Sequence, residues 1–168
     1  MRGLGRIRGL VEGGVEKLFV VLGASGSGKS SFLRGGLWPR LARDDLTFLP
    51  LPVIRPQTAV ISGGSGLAAA LAVAFERLGA ARPPGRIKEA LAGGADQFGR
   101  LLDELTDLAK RRLVGLEGER QPLANVLAID QAEELFNTDG ASEASTFWNF
   151  LKAYLCPPKV HQHDASWH

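Results

Sequence analysis

Disulfides and a dominant charge are both missing from this 168-residue sequence. It has a single cysteine, Cys156, so no disulfide can form within the chain, and a reducing compartment such as the cytoplasm is expected. The 20 lysines and arginines are balanced by 18 aspartates and glutamates, which gives a formal net charge of +2. Without a broad positive field, the composition does not indicate nucleic-acid binding. Any anionic ligand would have to be held by local groups.

Long hydrophobic runs are also missing. The longest, LAAALAVAF at residues 67–75, is about half of the roughly 20 residues needed to cross a bilayer. Arginines near the N terminus imitate the start of a secretory signal, but Glu12, Glu16 and Lys17 interrupt the apolar stretch that should follow. Because 45% of the residues are apolar and 23% are charged, the sequence is typical of a soluble globular protein with no membrane segment.

Short apolar runs that suit strands alternate with segments of helical periodicity. The strand candidates are residues 18–22, 46–56 and 124–130, and in the second of them Pro50 and Pro52 predict an edge strand or a broken one. Helical spacing of apolar side chains is found in residues 29–42, 67–79, 87–91, 95–113, 131–136 and 144–155. Parallel strands need long crossovers, so this order predicts an α/β fold in which helices cover a parallel sheet.

A glycine-rich loop, GASGSGKSS at residues 23–31, lies between the first predicted strand and the first predicted helix. It fits the pattern G-x-x-x-x-G-K-[ST] in the strand–loop–helix context that the pattern requires. Glycines allow successive N–H groups to point at an anion, and the following helix N terminus adds partial positive charge. The sequence therefore predicts a nucleotide phosphate site. The alternative is a Gly/Ser turn with a solvated lysine.

Within this loop, two side chains have specific predicted roles. Lys29 supplies a full positive charge for the outer phosphates, and the Ser30 hydroxyl is placed to coordinate a magnesium ion. The predicted nucleotide-binding residues are Gly23, Ala24, Ser25, Gly26, Ser27, Gly28, Lys29, Ser30 and Ser31.

A second candidate site follows the last predicted strand. Asp130 ends that strand, where ligands collect in parallel sheets, and we predict that it holds the metal as a Walker B aspartate; a helix N-cap is the alternative. Gln131 stands where many ATPases place a glutamate base. Either Glu133 or Glu134 could activate an attacking water if the chain enters a helical turn, or both could be solvated glutamates at a helix start.

Three segments, GASGSGKSSFLRGGLWPRL, VIRP and LAIDQAEELF, together resemble the bacterial STAND-type P-loop NTPases, which are related to the AAA+ proteins. The resemblance covers residues 18–136. It implies a three-layer P-loop NTPase core that binds ATP and Mg²⁺, turns over slowly, and acts as a signalling switch for attached sensor and effector domains. It also implies phosphate and magnesium binding by Lys29 and Ser30, metal binding by Asp130, and assistance to water by Glu133 or Glu134.

The same resemblance implies an incomplete core. In the related fold a further strand with a polar sensor residue lies between the phosphate-loop strand and the Walker B strand, and the final residues CPPKVHQHDASWH cannot supply it. We therefore expect a sheet truncated after the Walker B strand, marginal stability, and C-terminal sensor or repeat domains outside this chain. The expected division is a lead-in at residues 1–17, a partial NTPase domain at 18–155 and a disordered tail at 156–168.

Other functions remain open at the level of sequence. A small-molecule kinase can have a nearly identical phosphate loop, and the missing glutamate at position 131 suits a nucleotide-binding scaffold that does not hydrolyse. Arg34 and Arg55 could contact phosphate or a neighbouring subunit of a homo-oligomer, or simply be solvated. Cys156 and the histidines after it have irregular spacing, which argues against a metal site there.

Overall fold

The computed structural model describes residues 18–113, 123–136 and 141–155. The predicted lead-in at 1–17 and the predicted tail at 156–168 lie outside these described residues. The strands are β1 (Phe48–Pro50) and β2 (Ala124–Val126), and a 3-10 helix spans Ala132–Phe136. The helices are α1 (residues 29–43), α2 (Leu67–Arg77), α3 (Pro84–Leu91), α4 (Ala95–Arg112) and α5 (Ala141–Leu155).

The sheet of the described residues consists of two parallel strands. Phe48 pairs with Ala124 and Pro50 with Val126, and an isolated parallel bridge between Ile54 and Ile129 extends the pairing toward the carboxyl ends. Helices α2, α3 and α4 lie in the crossover between the two strands, as a parallel connection requires. The structure thus confirms a mixed α/β class with a parallel sheet, and it confirms the broken character predicted for residues 46–56.

The main core lies on the side of the sheet where α2, α4 and α5 pack. Leu67, Leu71 and Phe75 recur at intervals of four residues along α2 and are fully buried, because this spacing places them on one helical face. Phe98 of α4 stacks on Phe150 of α5 with ring centroids 5.4 Å apart. The same buried cluster includes Leu51 and Ile54, which follow β1, so the helices pack against the segment after this strand.

A second, smaller cluster fixes α1 against the sheet. Its buried members are Leu37, Leu41 and Phe48, and the side chains of Phe19 and Trp38 pack against them. Helix α1 has an unusual middle: α-helical turns at Lys29–Ser31 and Trp38–Arg43 flank a π-helical stretch at Phe32–Leu37. Such wide turns occur frequently near functional sites. The cluster sets where the start of α1 lies relative to the end of β2.

Residues 18–22 differ from the prediction. They have no strand conformation, and Leu18, Val20 and Leu22 are 64%, 61% and 88% exposed. The prediction of a first strand buried on both faces is therefore wrong. An apolar, β-branched run favours a strand only where a neighbouring strand offers a hydrogen-bonding edge and a face to pack on, which local composition does not determine. Here β1 and β2 pair with each other.

Candidate functional site

The glycine-rich loop precedes α1 and turns sharply twice. Gly26 and Gly28 have φ values of +77° and +82°, in the left-handed region that only glycine adopts without strain. Gly23 has a different constraint, since a Cβ there would lie 2.7 Å from the Ser27 hydroxyl oxygen. The Ser27 amide closes one turn by donating to the Ala24 carbonyl at 3.2 Å. The loop therefore depends on glycine for conformation at two positions, whereas a Cβ at Gly23 would require the Ser27 side chain to move.

Lys29, the first residue of α1, folds back over the loop. Its ammonium donates to the carbonyl oxygens of Gly23 at 2.7 Å and Ala24 at 2.9 Å. These bonds use two of the three donors of an ammonium group. The lysine charge is thus held at the start of the loop that the sequence predicts to be a phosphate site.

Asp130 is the point where distant parts of the chain meet. Its backbone N–H donates to the Ile54 carbonyl at 2.9 Å, which places it just beyond the last parallel bridge. Its side chain is 6% exposed. The Ser30 hydroxyl donates to Oδ1 at 2.7 Å across 100 residues of sequence, and the Arg34 Nε donates to Oδ2 at 3.0 Å. The structure therefore brings together the two residues predicted to hold the metal.

Helical geometry explains why Ser30 and Arg34 reach the same carboxylate. Residues four apart on a helix lie on one face, one above the other. The sequence contained this spacing, and it could have marked Arg34 as a partner of whatever carboxylate Ser30 contacts. It could not indicate that the carboxylate would be that of Asp130.

The segment after Asp130 enters a helical turn, as the candidate roles of the two glutamates required, and the turn is a 3-10 helix. Gln131 leads into it with φ +61°. The Glu134 Oε2 accepts a hydrogen bond from the backbone N–H of Gln57 at 2.8 Å, whereas Glu133 is exposed. Gln131 in turn accepts a hydrogen bond from the Arg55 guanidinium. Sequence analysis did not find these two links between the segments that follow the parallel strands.

Glu143, another residue not singled out by sequence, ties α5 to the SGGSG loop at residues 62–66. Its carboxylate accepts hydrogen bonds from the N–H groups of Ile61 at 2.8 Å and Ser62 at 3.0 Å, and from the Ser62 hydroxyl. Burial tends to raise the pKa of Glu143, but these hydrogen bonds and the nearby Lys88 charge outweigh it and hold the pKa below its ordinary value. The loop is thus a structural element anchored by a carboxylate.

Other kinds of site are absent from the part of the chain that the structure describes. No group of three or more histidine, cysteine, aspartate or glutamate side chains is arranged to hold a metal by itself. No helix in residues 18–113, 123–136 or 141–155 combines the length and apolar character needed to cross a membrane. The tail residues Cys156, His161 and His163 lie outside the described ranges.

In this mixed α/β domain a glycine-rich loop leads into a helix, and that helix contacts an aspartate at the end of a parallel strand. This combination is typical of the class of nucleotide-binding NTPases. Comparison with protein families agrees: the model of the family Novel STAND NTPase 1 matches residues 5–163. The chain belongs to this family. Neither curated proteins nor solved structures gave a match.

Proposed function

We propose that this domain binds ATP with Mg²⁺ through the loop Gly23–Ser31 and Asp130, hydrolyses it slowly, and acts as a nucleotide-dependent signalling switch. The observation that carries the proposal is the 2.7 Å contact between the Ser30 hydroxyl and Asp130 Oδ1. It joins the loop to the strand end across 100 residues. Membership in the NTPase family supports nucleotide as the ligand.

The residues present fit the metal that the family implies. A serine hydroxyl and an aspartate carboxylate are hard oxygen donors, the type that Mg²⁺ prefers, and Mg²⁺ commonly takes its remaining ligands from nucleotide phosphates and water. When bound, the ion would neutralise phosphate charge. Lys29 and the loop N–H groups would hold the phosphates, because they combine a full charge with amide donors at a helix start.

We further propose that residues 18–155 form part of a three-layer P-loop core. The parallel pairing of β1 with β2 and the helices in the crossover between them support this, since such a core consists of helices packed on a parallel sheet.

The binding part of the proposal is tested by calorimetric titration of ATP into the full chain, once with Mg²⁺ and once with EDTA. We expect saturable binding in the micromolar range that weakens when the metal is removed, because metal and phosphate charges compensate each other. A flat titration well above micromolar ATP, with folded protein verified by circular dichroism, would refute the proposal.

For hydrolysis we propose Glu134 as the residue that assists water. The Gln57 amide holds one of its carboxylate oxygens, which fixes its orientation, whereas the side chain of Glu133 is exposed. A positioned carboxylate is the better general base. We expect Glu134→Gln to lower the rate of phosphate release about tenfold, since a slow enzyme has less to lose than the usual general-base contribution.

The matched control is Glu133→Gln, the same change one residue away. We expect it to alter phosphate release by no more than about twofold, as for an exposed side chain without a specific contact. An equal decrease in the rate of phosphate release in both variants would contradict the proposal that Glu134 assists water.

A second candidate is a nucleotide-binding scaffold that does not hydrolyse. Gln131, which stands directly after Asp130 where many ATPases place a glutamate base, favours this candidate. Absence of phosphate release in a protein that binds Mg²⁺–ATP would select this candidate.

A further inference from the structure

Both carboxylate oxygens of Asp130 are already engaged by groups of the protein itself. Ser30 donates to Oδ1, and Arg34 donates to Oδ2 as an ion pair at 3.0 Å. The two partners of the ion pair differ in environment, because the Asp130 side chain is 6% exposed and the Arg34 side chain is 49% exposed. The carboxylate is fixed in the protein, whereas the guanidinium can withdraw into solvent.

This asymmetry has an electrostatic consequence. A buried carboxylate is costly unless a cation or hydrogen-bond donors compensate it, and here a guanidinium does so. A divalent cation bound by Ser30 and Asp130 would need the same oxygens and would repel the guanidinium at short range. Arg34 and the metal therefore compete for one site.

We propose that Arg34 is a built-in counter-cation that a divalent metal must displace from Asp130, so that metal enters together with nucleotide rather than alone. A bare ion would gain one carboxylate and one hydroxyl while the Arg34 ion pair is lost. An ion that arrives with a polyphosphate brings further oxygen ligands, and the phosphates bind independently to Lys29 and the loop. The inference rests on the proposed nucleotide function and adds an order of loading to it.

The test measures binding of Mn²⁺ alone to the full chain. Binding is monitored as the decrease of the free Mn²⁺ signal in electron paramagnetic resonance. Two variants remove the competing charge: Arg34→Ala, and Arg34→Gln, which keeps a donor that can satisfy the Asp130 carboxylate. In the absence of nucleotide, we expect both variants to bind Mn²⁺ at least about tenfold more tightly than the unmodified chain. This change in affinity corresponds to the free energy of about one charge-assisted hydrogen bond.

Arg40→Ala is the matched control. Arg40 lies in the same helix and donates to the Gly36 carbonyl at 3.1 Å. Removing it changes the net charge equally and leaves the ion pair of Asp130 intact, so we expect Mn²⁺ affinity within about twofold of the unmodified chain. The double variant Arg34→Gln with Asp130→Asn should lose the gain, because it has no carboxylate for the metal.

An equal gain in the Arg34 and Arg40 variants would overturn the inference, since it would show an effect of net charge only. Unchanged Mn²⁺ affinity in Arg34→Gln, with a melting curve that shows a folded protein, would overturn it as well. Failure of the proposed function is a separate result: it is the absence of Mg²⁺–ATP binding by the unmodified chain in calorimetry. A chain that binds Mg²⁺–ATP but shows no effect of Arg34 would retain the function and lose only the order of loading.

Discussion

Replacement of Lys29 by alanine is expected to lower the affinity for Mg²⁺–ATP at least about a hundredfold. The Lys29 ammonium lies within 3 Å of the Gly23 and Ala24 carbonyls, at the start of the loop proposed to surround the phosphates. In the complex the ammonium would exchange these carbonyls for phosphate oxygens. A charge-assisted hydrogen bond contributes about 1.5–3 kcal/mol, and loss of two such bonds to phosphate corresponds to about a hundredfold or more in the dissociation constant for Mg²⁺–ATP. Calorimetric titration of the variant measures this directly.

The control for this change is Lys110→Ala, which removes a lysine that is exposed near the end of α4. It alters the net charge equally, and we expect ATP affinity within about twofold of the unmodified chain. The Lys29 contacts are on the surface, so both variants should keep the melting temperature of the parent chain. Binding by Lys29→Ala that is within about threefold of the parent would exclude the loop as the phosphate site.

Asp130→Asn is expected to abolish the magnesium dependence of nucleotide binding. The amide preserves the shape of the side chain and an acceptor oxygen for the Ser30 hydroxyl, but it removes the negative charge that the metal would balance. Mutation of residues that only hydrogen-bond to metal ligands lowers metal affinity or activity about 10- to 100-fold. Loss of a ligand itself should therefore weaken nucleotide binding in the presence of Mg²⁺ at least about a hundredfold. Titrations in Mg²⁺ and in EDTA should then give the same affinity.

Asp45→Asn provides the comparison for this variant, since Asp45 is exposed and follows α1 in sequence. It should retain the full difference between Mg²⁺ and EDTA. Asp130→Asn also breaks the ion pair with Arg34, so its fold must be checked by thermal unfolding before its affinity is interpreted. A folded Asp130→Asn protein that still responds to Mg²⁺ would place the metal elsewhere.

The helices and the character of the loop could be predicted from sequence because both depend on nearby residues. Leu67, Leu71 and Phe75 are buried at the spacing that identified α2, and Gly79 ends the helix region with φ +78°. Gly26 and Gly28 have the positive φ values that a loop of this pattern requires. In each case the local chemistry of the side chains permits few alternatives.

The failed strand at residues 18–22 shows the limit of this approach. Its composition is typical of a buried strand, yet the segment is exposed, because strand formation depends on a partner edge from elsewhere in the molecule. The links from Gln57 to Glu134 and from Arg55 to Gln131 were invisible for the same reason: each joins residues separated by more than 70 positions.

By itself, the sequence determined a glycine-rich loop followed by a helix, an aspartate at the end of an apolar run, and membership in a family of NTPases. Only the tertiary structure decided that Ser30 and Arg34 share the carboxylate of Asp130, and that the apolar run before the loop stays outside the sheet. The physical reason is the separation along the sequence of the residues that determine each feature. Backbone angles and helical faces follow from neighbours a few residues away, whereas ion pairs and strand partners depend on which distant segments the packed core holds together.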